Sequence, residues 1–104
     1  MLFMVIETFA NDDMVPVYQR LRERGRMLPE GVEFIESWVE ASFARCFQLM
    51  RCDDAAKLQA WVLSWRGAGV RFEIVPVVES ATTRALVTDH LDRSEGSTPS
   101  AGTP

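Results

Sequence analysis

Few residues in this chain have types and positions suited to chemistry. Glu7, Ser37, Cys46, Gln48 and Glu73 are polar or reactive side chains set among apolar strand residues. Two carboxylates brought together in a partly dry cavity would push one pKa upward and allow acid–base work near neutral pH. Gln48 or Ser37 would then hold and orient a ligand. Cys46 has no histidine or acidic partner nearby in sequence, and a buried cysteine is ordinarily inert packing. The plainer reading of the carboxylates puts Glu7 and Glu73 at strand ends, reaching solvent or an arginine such as Arg26. A second set, Glu36, Trp38 and Arg45, would offer a stacking wall and an anion anchor. Its plainer reading is a cross-strand Glu36–Arg45 pair of modest value.

Other chemistries lack their residues. The single histidine, His90, lies late in the chain, and Cys46 and Cys52 are far from it. That is a poor ligand set for a metal or haem, so no cofactor is expected. There is no glycine-rich phosphate loop, no GxSxG and no CxxC. On one extended strand the two cysteines would have Cα atoms roughly 20 Å apart, too far for a disulfide. Free cysteines suit a reducing, cytoplasmic setting. The net charge is −4 and the pI about 4.9, which disfavours nucleic acid as a partner. Arg20, Arg22, Arg24 and Arg26 read as the solvated side and end of a helix. No apolar run reaches the ~18 residues of a membrane span, and MLFMVIE reads as a strand rather than a signal peptide.

The elements that must position these residues follow from the apolar runs. They read strand (Leu2–Phe9), helix (Met14–Gly25), strand (Val32–Glu40), strand (Phe43–Cys52), helix (Asp54–Trp65), strand (Val70–Glu79). This α+β order, βαββαβ, is the ferredoxin-like pattern: a four-stranded antiparallel sheet with two helices on one face. Pro16 fits only a first helical turn, and Gly25 fits a helix end. Met14, Val17, Tyr18 and Leu21 form one stripe; Leu58, Trp61, Val62 and Trp65 form another. Asp53 is the expected N-cap of the second helix. A two-residue turn at Ala41–Ser42 would pair Trp38 with Arg45 and Ser37 with Cys46, although the turn lacks Asn-Gly. Pro76 argues that the last strand lies at an edge, as in the order 4-1-3-2. One domain spans 1–80. A short helix is expected over 81–93 and a disordered tail over 94–104.

Strand periodicity divides the sheet into two faces. One carries Phe3, Val5, Glu7, Ile35, Ser37, Val39, Cys46, Gln48, Met50, Glu73, Val75 and Val77. The other carries Met4, Ile6, Phe34, Glu36, Trp38, Arg45, Phe47, Leu49, Phe72 and Ile74, and its greater bulk suggests that it lies under the helices. The first face would then present Glu73, Glu7, Gln48 or Cys46, and Ser37 as a polar row in an otherwise apolar cavity. The opposite assignment would expose Glu36, Trp38 and Arg45 instead. Both faces are too apolar for water, and two helices cover only one. A second copy packed sheet to sheet is the simplest cover, giving a homodimeric α/β barrel; the C-terminal segment folding over the open face is the alternative.

MLFMVIE, GRMLPEG, SWVE, RCFQLM, the Trp–Trp helix and FEIVPV together resemble the small bacterial family called domain of unknown function 3303. The resemblance covers residues 1 to about 80. It implies a dimeric α/β barrel and supplies no catalytic residue. That wider group includes cofactor-free monooxygenases, lactone isomerases, dehydratases and haem proteins, and fold alone does not choose among them. Two expectations result: a homodimer binding a small hydrophobic ligand between its sheets, or a cofactor-independent enzyme, monooxygenase- or isomerase-like, with a carboxylate as general base.

Overall fold

A computed structural model of the chain describes residues 1–96. Strands β1 (Leu2–Phe9), β2 (Glu33–Val39), β3 (Arg45–Arg51) and β4 (Val70–Val77) alternate with helices α1 (Val15–Arg24), α2 (Ala55–Ser64) and α3 (Ser80–Gly96). All strand pairs are antiparallel, in the order β2-β3-β1-β4. The first six elements are therefore the ferredoxin-like βαββαβ unit that the apolar runs predict. Pro76 lies in β4, an edge strand that pairs only with β1, the position in a sheet where a missing N–H is tolerated.

Local chemistry explains the element ends. Pro16 lies in the first turn of α1, and the Val15 N–H donates to Asp13 Oδ1 at 3.0 Å. Gly25 closes the helix at φ 68°, with its N–H on the Leu21 carbonyl. The cap of α2 is Asp54 rather than Asp53: its side chain accepts from the Ala56 N–H at 2.9 Å. Arg20 crosses from α1 to donate to the Ser64 and Arg66 carbonyls at 3.3 and 2.8 Å. It thus satisfies acceptors that the end of α2 leaves free.

The β2–β3 connection is longer than a two-residue turn. Phe43 N–H donates to the Glu40 carbonyl at 2.8 Å, Phe43 takes φ 64°, and Glu40 N–H meets the Arg45 carbonyl at 2.9 Å. Ser37 consequently faces Gln48, Trp38 faces Phe47 and Val39 faces Cys46. The register is displaced by two residues from the tight-turn expectation, which keeps each side chain on its face. An irregularity between Phe34 and Glu36 then moves Phe34 to the Met50 side.

The helices cover the face opposite to the one expected from bulk. Phe3, Val5, Glu7, Phe9, Cys46, Gln48 and Met50 are buried, beside Val17, Leu58, Trp61 and Trp65 from the helices. Bulk does not choose the face: the tryptophans of the helices share one core with Phe3, Phe9 and Phe72 as well as with aliphatic sheet residues. Phe72 and Ile74 also pack on this side, because β1 pairs Glu7 with Phe72 and Val5 with Ile74. Phe72 meets Trp61 edge to face, with ring centroids 5.3 Å apart.

The uncovered face carries Met4, Ile6, Phe47 and Leu49 at half-burial, with Trp38 and Val75 exposed. Helix α3 does not shield it, since every α3 residue through Glu95 is exposed. The helix is longer than the predicted 81–93 and takes in the first residues of the expected tail. Residues 97–104 of that tail lie outside the described residues.

Candidate functional site

Three neighbouring strands bring the polar row together on the helix side of the sheet. Ser37 on β2 faces Gln48 on β3, and Glu7 on β1 faces Cys46 on β3. Gln48 Nε2 donates to Glu7 Oε2 across the sheet. Both side chains are buried, at 4% exposure for Glu7 and 8% for Gln48. Glu73 leaves this row: it faces Ile6, so it points to the open face and stays exposed. Period two fixes faces within a strand, while only the β1–β4 register fixes them between strands.

Glu7, Ser37, Cys46 and Gln48 line a cavity of about 150 Å³ between the sheet and α1. Phe9, Val17, Leu21, Val39 and Trp61 form its apolar walls, and Tyr18, Arg26 and Trp65 line it as well. The cavity belongs to one chain and lies under the helices, where the sequence placed it between the sheets of two chains. The second set divides differently. Glu36, Trp38 and Arg45 are exposed and belong to the open face, and the Arg45 guanidinium pairs with Glu40 at 2.8 Å rather than with Glu36.

Electrostatics follow from dryness. Burial pushes the Glu7 carboxyl from 4.5 up to about 7, against the hydrogen bond from Gln48 and the nearby positive charge of Arg26. Burial, with Glu7 adding to it, pushes the Cys46 thiol up to about 11. A thiol so held is protonated and a poor nucleophile at neutral pH. Tyr18 sits at the rim, 41% exposed, and its phenol is raised by desolvation first and then by Cys46 and Glu7.

Arg26 is held by its surroundings. Its carbonyl accepts from Trp61 Nε1 at 2.8 Å, and its guanidinium lies 3.7 Å from the Phe34 ring centroid. Among the described residues, Gln48 Oε1 and Trp65 Nε1 are buried polar atoms without a hydrogen-bond partner.

The sequence offers Arg26 as a solvated helix end and as a possible partner for Glu7, and Tyr18 and Trp65 only as an apolar stripe and core; all three line the cavity. Among the described residues no cluster of His, Cys, Asp or Glu could hold a metal. Both cysteines are free and buried, and among the described residues no helix is long and apolar enough to cross a membrane.

No curated protein and no solved structure matches the chain. The family match extends beyond the motifs in β1–β4 and into α3. Over residues 1–91 the chain matches the family described as Domain of unknown function (DUF3303), and it belongs to that family.

Proposed function

We propose that this protein binds a small, largely apolar molecule in the cavity between its sheet and α1. The observation that carries the reading is the buried Glu7–Gln48 pair, set in an otherwise apolar cavity. A carboxyl that costs stability by being buried is poorly explained by packing alone, and perturbed groups in a cleft mark functional sites. Native mass spectrometry of the full-length protein from a cell extract tests it. The expected result is one small-molecule adduct per chain. A bare chain, together with unchanged Trp61 and Trp65 fluorescence on adding benzene-sized compounds, would overturn it.

A second reading rests on one observation, the Glu7 pKa of about 7. A carboxyl titrating there is suited to take a proton from an enolisable substrate and return it, without a cofactor. Glu7→Gln would then abolish exchange of the substrate's α-proton with deuterium from solvent while leaving substrate affinity within a few-fold. Exchange at the wild-type rate would remove the general base.

The protein acts in this proposal as a homodimer closed over the open sheet face. Met4, Ile6, Phe47 and Leu49 form an apolar centre on the two inner strands. Glu36, Arg71 and Glu73 on the outer strands ring it with both signs of charge. An apolar centre inside a mixed-charge rim is interface anatomy, and both signs on one patch allow it to meet its own copy. The free cysteines support a cytoplasmic location.

A further inference from the structure

We infer that the cavity presents Glu7 as a hydrogen-bond donor, through Oε1, and so takes a small neutral molecule whose apolar body carries a carbonyl oxygen. The inference rests on the reading of the cavity as a ligand site and specifies its chemistry.

The two oxygens of Glu7 are not equivalent. Oε2 accepts from Gln48 Nε2. Oε1 has no protein partner, yet it is not sealed from water as Gln48 Oε1 and Trp65 Nε1 are. The 4% of Glu7 that stays open therefore includes Oε1. Strand β1 is an inner strand with the helices over its Glu7 side, and the open space that Glu7 borders there is the cavity.

The surroundings favour the neutral acid. A carboxylate taken out of water needs an ion pair or several donors. Among the described residues Glu7 has one side-chain donor, Gln48, and no ion pair. Arg26 acts on it only at a distance, with its guanidinium over the Phe34 ring. The carbonyl-type oxygen of a neutral carboxyl is its better acceptor, so the bond from Gln48 leaves the proton on Oε1. A carboxylic acid kept neutral in an apolar site is a strong donor to a carbonyl oxygen. The volume, about 150 Å³, matches a single six-membered ring. A ligand anion would meet the same dryness that disfavours the Glu7 carboxylate.

Cyclohexanone and methylenecyclohexane share a shape and differ by an oxygen in place of a CH₂ group. Both are titrated into the full-length protein at pH 6 and pH 9, read by tryptophan fluorescence or calorimetry. A merely greasy hole prefers the hydrocarbon. The expected order at pH 6 is the reverse, with cyclohexanone tighter by roughly tenfold or more. The infrared C=O stretch of bound cyclohexanone should lie below its position in a hydrocarbon solvent. At pH 9 its affinity should fall by roughly tenfold or more, as Oε1 loses its proton. Glu7 is the group that titrates in this window. Around it, the Cys46 thiol on β3 is held up at about 11 and the Tyr18 phenol on α1 is raised from 10.0. Arg26 is a fixed charge, and β2, α2 and β4 bring Ser37, Trp61, Trp65 and Phe72, none of which titrates. Glu7→Gln puts an amide N–H where the Oε1 hydroxyl stood, so its affinity for cyclohexanone should be the same at both pH values.

Methylenecyclohexane binding as tightly as cyclohexanone, or a bound C=O stretch at its hydrocarbon position, would overturn the donor while leaving the cavity a ligand site. An equal fall in affinity for wild type and Glu7→Gln would trace the titration to another group and also count against it. No binding of either compound would overturn both the inference and the reading beneath it. The wild-type comparison decides even where the variant fails to fold.

Discussion

Glu7 is the residue at which stability and function pull apart. Its folded pKa of about 7 lies above its ordinary value of 4.5. The native state therefore holds a proton that the unfolded chain releases between those two values. Stability from this group is fully present below about pH 4.5, is lost as the pH rises to about 7, and stays lost above. The loss amounts to about 3 kcal/mol. Glu7→Gln keeps the shape and removes the titration. The variant is expected to match wild type in thermal melts at pH 4.5 and to be about 2–3 kcal/mol more stable at pH 8. Parallel pH profiles for the two proteins would show instead that Glu7 ionises in the fold at its ordinary pKa. Cys46 belongs to the same dry patch, and its raised pKa predicts a second result. At pH 8 the native protein should resist thiol alkylation that the denatured protein accepts at both Cys46 and Cys52; rapid native labelling of Cys46 would contradict its protonated, buried state.

The elements show which signals in the chain are local and which are not. Pro16, Gly25 and Pro76 act through their own backbone limits, so helix start, helix end and edge strand were legible residue by residue. The cap of α2 was read one residue early because Asp53 and Asp54 are equally good cap residues; only backbone geometry shows that the Asp54 carboxylate reaches the Ala56 N–H. Asp54→Ala should therefore cost about 1 kcal/mol in a denaturant melt, and Asp53→Ala only a few tenths. Equal costs would mean that the cap is shared. The face under the helices was not legible, because it depends on how tryptophans from α2 share volume with the sheet. The same holds for Glu73, whose face is set by the β1–β4 register rather than by its own strand. Ser37, Cys46, Gln48 and Glu7 stayed together because the displaced β2–β3 register moved by two residues and not one. Tyr18 and Trp65 were hidden by being good core residues, while Arg26 was legible only as a possible partner for Glu7.

At the scale of the whole molecule, the two sides of one sheet divide the work. Along β1 the odd positions Phe3, Val5 and Glu7 face the helices and the cavity, while Met4 and Ile6 face outward. The proposed ligand site and the proposed dimer face therefore use alternate residues of the same strand and share no side chain. This separation makes the dimer testable without touching the site. Phe47→Glu puts a carboxylate into the apolar centre of the open face, at a position half-buried in the single chain, so a monomer should still fold. Wild type is expected to sediment at twice its 11.8 kDa at tens of micromolar concentration, and the variant at the single mass. Burying an unpaired charge at the middle of an interface costs several kcal/mol, enough to dissociate a dimer of ordinary affinity. The monomeric variant should bind the cavity ligand as wild type does. A wild-type monomer would leave the apolar face to some other cover. A dimer whose dissociation also empties the cavity would mean that the backbone of β1 and β3 carries the state of one face to the other.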